Sequence, residues 1–75
     1  MIPFALPAGQ DVQLYVFNAL GQKMRTLIDG PMEPGYHRLI WNGRNDANRD
    51  VAAGVYFYLL ETGQFRQTRK MVLVK

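Results

Sequence analysis

Apolar side chains in this chain recur at every second position, and no window of about 11 residues holds them at helical spacing. Val12, Leu14 and Val16 alternate with Gln13, Tyr15 and Phe17. Successive Cβ atoms on a strand point to opposite faces of a sheet, so this period of two predicts a strand with one buried side. The same reading extends along the chain. Ile2 to Leu6 is a first short strand. Asn18-Ala-Leu-Gly21 is a turn, with Gly21 at the position that needs positive φ. Lys23 to Asp29 is the next run, closed by Asp29-Gly30. Pro31 to Gly35 is expected to be a loop kept out of regular structure by its prolines. Tyr36 to Trp41 alternates again, with His37, Leu39 and Trp41 on one face.

The last third carries the strongest hairpin signal. Gly54 to Gly63 and Gln64 to Lys75 are two runs rich in β-branched and aromatic residues around a Thr-Gly-Gln turn. Val55, Phe57 and Leu59 make one face of the first run apolar, and Tyr56, Tyr58 and Leu60 the other. A strand apolar on both faces is central in its sheet, or one face awaits a partner. Six strands with turn signals every 8–15 residues predict an all-β chain, an antiparallel β-sandwich. Its expected core is Val12, Leu14, Val16, Leu39, Trp41 and Tyr56.

At 75 residues the chain is one domain. A domain of this size buries only about 60% of its unfolded surface, so its stability depends on efficient packing. With no cysteine, neither a disulfide nor a cysteine-ligated metal can help. No segment approaches the roughly 20 apolar residues of a membrane helix, and the start lacks the basic n-region of a signal peptide. Ile2 to Leu6 reads as a strand with nothing before it. The expectation is therefore a module cut from a longer chain.

Charge is unevenly placed. Residues 66–75 hold Arg66, Arg69, Lys70 and Lys75 and no acid, whereas the other 65 residues carry five basic and six acidic side chains. The formal net charge of +3 thus sits on one terminal strand. Four charges on one strand are too few for nucleic acid, whose readers interleave basic residues and exposed aromatics over a broad patch. Three readings stay open: simple surface, solvated edge charges that block aggregation, or a docking edge in which the charges set register; the residues alone favour the first two.

Few residues point to chemistry. No nucleophile–base pair, carboxylate pair or phosphate loop stands out, which predicts a non-catalytic protein without a cofactor. His37 is the only histidine and lacks the partners that a metal site or a triad needs, so it reads as a packed or rim residue. Asp46-x-Asn48-x-Asp50 mimics the start of a calcium loop. Val51 and Phe57 stand where that loop needs glycine and glutamate, and Arg44 and Arg49 oppose a cation. The stretch Asn42 to Asp50 therefore reads as a turn whose side chains bond the backbone. Trp41 reads as a core residue between two sheets, with a sugar-stacking platform as the rival.

Four motifs together resemble a known family. Leu14-Tyr-Val-Phe-Asn-Ala-Leu-Gly-Gln22, Gly35-x-His37-x-x-x-Trp41-Asn-Gly43, Gly54-Val-Tyr56-Phe57 and Thr68-x-Lys70-Met-Val-Leu-Val-Lys75 resemble the C-terminal sorting domain of the type IX secretion system. They also resemble the related Ig-like domain of flagellar hook-capping proteins, and the terminal lysine-flanked ending favours the sorting domain. The likeness runs from Ile2 to Lys75. The structural motif positions are Gly21, Gly35, Trp41, Gly43, Gly54 and Tyr56. The family opens with an Asn-Pro-Phe-like segment where this chain has only Ile2-Pro-Phe4, and Asn42 stands where the family often has aspartate. By the first departure the family's opening strand is either missing here or lies upstream, which leaves open whether residues 1–75 hold the complete sandwich.

The resemblance implies an Ig-like sandwich of six to seven strands over residues 1–75, acting as an address label at the end of a larger secreted protein. Its partners would be the cargo domain upstream, the outer-membrane secretion machinery and the peptidase that removes the label. The setting would be the periplasm and then the cell surface of a Gram-negative bacterium. The expected docking strand is Arg69, Lys70, Met71, Val72, Leu73, Val74 and Lys75. A homo-oligomer is a further expectation. The rivals are a spacer or hook-cap-like assembly domain and a carbohydrate-binding accessory module.

Overall fold

Alternation along β2 (Gln10–Asn18) sends Val12, Leu14 and Val16 to one side, where each is 0% exposed. Burying a side chain of this kind contributes about 1.5–3 kcal/mol. β2 therefore anchors the interior, and the other strands are placed around it. The computed structural model describes Ile2–Val74, and all of its regular elements there are strands. They are β1 (Ile2–Leu6), β2, β3 (Lys23–Met32), β4 (Gly35–Leu39), β5 (Gly54–Thr62) and β6 (Arg66–Leu73).

The strands form two antiparallel sheets, a four-stranded one in the order β3-β2-β5-β6 and a two-stranded one, β1-β4. Ile2 and Leu6 of β1 pack onto Val12, Leu14 and Leu60 from the larger sheet. Val16, Val51 and Tyr56 make a second cluster, joined by Trp41, Met71 and Leu73. Leu27 and Met71 touch both clusters and make the interior continuous. The architecture is the expected β-sandwich.

Local chemistry explains the turns. In the β2–β3 hairpin the Asn18 side-chain oxygen accepts from the backbone N–H of Leu20 and of Gln22, both at 2.9 Å. Gly21 takes φ 83°, a left-handed conformation that costs glycine little. The β5–β6 hairpin closes through Thr62, whose hydroxyl accepts from the N–H of Gln64 and Phe65 at 3.1 and 3.2 Å. Near the start of β5 the Tyr56 hydroxyl donates to the Ala52 carbonyl at 2.6 Å. A tyrosine bonded back to upstream backbone is a corner device of Ig-like sandwiches.

Three sequence expectations need correction. Pro31 lies inside β3, opposite Asp11, and not in a loop. β3 is an edge strand, and a proline fits there when its missing N–H faces away from the ladder. β4 ends at Leu39, so Trp41 lies beyond the strand that was expected to include it. Leu39 and Trp41 are accordingly half-buried: they pack against the two core clusters but are not enclosed by them. Val12, Leu14, Val16 and Tyr56 are buried as expected.

Candidate interaction surface

The two edges of the four-stranded sheet are treated differently. At β3 the Asn42 to Asp50 loop folds back onto the strand. Asp46 N–H donates to the Met24 carbonyl at 2.9 Å, and the Asp46 carboxylate accepts from Thr26 N–H at 3.0 Å. Arg25 donates to the Asn45 carbonyl at 3.0 Å. A loop laid along an edge blocks its use as a pairing template.

The loop is held in shape by its own polar side chains. Asn45 Oδ1 accepts from Ala47 and Arg49 N–H, both at 3.0 Å, and Asn42 Oδ1 accepts from Arg44 N–H at 3.0 Å. Asp50 faces Arg44 at 3.6 Å. These oxygens already serve backbone and guanidinium donors. No group of three or more histidine, cysteine or acidic side chains converges to hold a metal among the described residues.

At the opposite edge β6 pairs only with β5, through Gly54↔Leu73 to Glu61↔Arg66. No described element lies along its outer side. Of its cations, Arg66 is engaged by Glu61 at 2.8 Å, while Arg69 and Lys70 make no ion pair among the described residues. Register splits their directions. Lys70 sits opposite Phe57 and so on the outer face, and Arg69 opposite Tyr58 on the inner face. Met71 and Leu73 contribute to the core, whereas Val72 and Val74 are 62% and 82% exposed. The expected docking residues therefore divide between packing and surface. Lys75 lies outside the described residues.

The outer face of the same sheet carries an apolar stripe among polar positions such as Gln13, Glu61, Thr68 and Lys70. Tyr15 and Phe17 on β2 lie opposite Leu59 and Phe57 on β5, and Val55 opposite Val72 on β6. The Tyr15 and Phe17 rings meet edge-on at 6.4 Å, and Lys23 Nζ stands 5.1 Å from the centre of the Tyr15 ring. β5 is thus central in its sheet, and on its outer face Phe57 and Leu59 are half-buried and Val55 is exposed. The stripe was legible in part from the doubly apolar β5, but the contribution of Tyr15 and Phe17 emerges only once β2 is seen to be its neighbour.

The remaining motif residues make contacts within the fold. Trp41 donates its indole N–H to the Arg44 carbonyl at 2.9 Å and meets Tyr56 edge-on at 5.0 Å. His37 stacks on Phe4 at 5.1 Å, and its Nε2 lies 2.7 Å from the Glu33 carbonyl. Gly43 is buried with φ 75°, and its carbonyl accepts from Val51 N–H at 3.0 Å. Gly35 and Gly54 open β4 and β5. Comparison with protein-family models, with curated proteins and with solved structures returned no match.

Proposed function

We propose that the chain is a non-catalytic sorting module that directs a cargo protein through the type IX outer-membrane machinery, with β6 as its docked strand. The observation that carries this reading is the asymmetry of the sheet edges: the Met24–Thr26 part of β3 is capped by the 42–50 loop, and β6 is left bare and basic. A protein that only needed protection from aggregation has reason to treat both edges alike. An eight-residue edge without proline offers main-chain pairing to an added strand. Lys70 and Lys75 flank the Met71 to Val74 run and steer an acidic receptor to it. The four motifs of the sorting family support the same reading.

The test is a fusion of residues 1–75 to the C-terminus of a periplasmic reporter enzyme in a bacterium that carries type IX machinery. Reporter activity on the cell surface, lost when the translocon is deleted, is the expected result. A reporter retained in the periplasm of the intact strain overturns the proposal. A spacer or assembly domain is the second reading, favoured by the bare stripe of Tyr15, Phe17, Phe57 and Leu59. It expects no export, and loss of a multidomain assembly when the stripe is made polar.

A further inference from the structure

The smaller sheet stops too early to cover the larger one. Phe4 and Ala5 of β1 line one cleft with Tyr58 and Leu60 of β5 and Gln67 and Arg69 of β6, so β1 runs along the β5–β6 side of the larger sheet. The strand next to β5 is β6, and its inward positions are set by pairing: Gln67 opposite Leu60, Arg69 opposite Tyr58, Met71 opposite Tyr56. In a closed sandwich all three would be covered. Here Gln67 and Arg69 are exposed despite facing the core side, and Phe65 is 38% exposed. Two clefts follow this uncovered strip. One, of about 120 Å³, lies among Ile2, Trp41, Tyr58, Met71 and Leu73. The other, of about 360 Å³, lies among Phe4, Ala5, Leu60, Phe65 and Arg69. Tyr58 lines both.

The missing cover has the dimensions of one strand. Neighbouring strands are about 4.8 Å apart and packed sheets about 10 Å apart, so a strand beside β1 would lie directly over β6. β1 pairs only with β4 among the described residues, which leaves its other edge open. Pro3 has no N–H to give, and a proline in a paired strand turns that side outward. Ala5, two residues on, shares its orientation. The open edge therefore presents the Ala5 N–H and the carbonyls of Pro3 and Ala5.

We infer that this slot accepts an extended strand from another polypeptide, pairing with the open edge of β1 and placing an acidic side chain against Arg69. Backbone groups on β1 call for a strand and not for a compact ligand. The apolar walls at Phe65, Tyr58 and Met71 call for apolar side chains at alternate positions. Arg69 has no acidic partner among the described residues and sets the charge. The edge strands of a second copy do not fit. β1 and β4 carry no acid, β6 brings three cations against Arg69, and β3 is capped by its loop at Met24–Thr26 and has at Pro31 no N–H to give an added strand. The inference concerns the inner face of β6 and is independent of the sorting reading, since its test needs no secretion machinery.

The probes are two capped seven-residue peptides, Thr-Val-Thr-Glu-Thr-Val-Thr, whose two valines and glutamate share one face of a strand, and the same peptide with lysine for glutamate. Binding is read from Trp41 emission, since this indole lines the smaller cleft, and from backbone amide shifts. The glutamate peptide should bind saturably, shift Phe4–Leu6 and Phe65–Met71, and bind about tenfold tighter than the lysine peptide. Arg69→Glu should reverse that preference. Ala5→Pro removes the outward N–H without touching the β4 ladder and should abolish binding at an unchanged melting temperature. If that variant unfolds, the Arg69 reversal decides alone. The inference is overturned by no saturable change up to millimolar peptide, by a preference that survives Arg69→Glu, or by a peptide-free dimer that already protects the β1 edge.

Discussion

Trp41 is the only tryptophan of the chain, and its surroundings set what its loss should cost. The ring is half-buried, edge-on to Tyr56 and tied to the Arg44 carbonyl. Trp41→Ala should therefore cost about 2 kcal/mol, below the 3–5 kcal/mol of a fully enclosed aromatic. Leu14→Ala removes a side chain that is 0% exposed and should cost about 2–5 kcal/mol. A core this small supplies only about 3–5 kcal/mol in all, so Leu14→Ala should be largely unfolded where Trp41→Ala still folds. Urea unfolding followed by circular dichroism measures both, and the reverse order of cost would contradict the packing described. Val12, Leu14 and Val16 were legible because alternation reports which face is buried. Trp41 and Leu39 were overestimated because alternation does not report where the covering layer ends. Pro31 was misplaced because a proline's tolerance depends on whether its strand is at an edge, which is a property of the sheet and not of the segment.

Among elements, the 42–50 loop is the one whose role the sequence showed only in part. Its Asn and Asp side chains do bond the backbone, as their types imply. That Asp46 bonds the backbone of β3 was not legible, since the two segments are twenty residues apart and meet only in the folded chain. Asp46→Ala should cost about 1 kcal/mol, the usual worth of one such bond, and should expose the β3 edge to faster amide exchange at Thr26. Exchange unchanged at Thr26 would remove the loop's capping role. Millimolar calcium should leave the melting temperature of the chain unmoved, because the loop oxygens already serve protein donors. A rise that chelator reverses would contradict this.

For the whole molecule, the strands were readable one by one, but their division into four and two was not. Pairing between β2 and β5 is long-range, and nothing local to either strand announces it. The division leaves the outer stripe bare, so the chain should associate weakly at high concentration, and more strongly as salt screens the cations of β6. Sedimentation showing only monomer at every concentration and ionic strength would count against an adhesive outer face. The division also leaves β6 as the uncapped edge on which the functional proposal rests. The direct test is the double reversal Lys70→Glu with Lys75→Glu in the reporter fusion. Exposed charge changes of this kind cost within about 0.5 kcal/mol, so the fold should persist. The account predicts that surface activity falls sharply while the purified module melts at an unchanged temperature. Undiminished export of the reversed variant would contradict it, and β6 would then be a structural strand only.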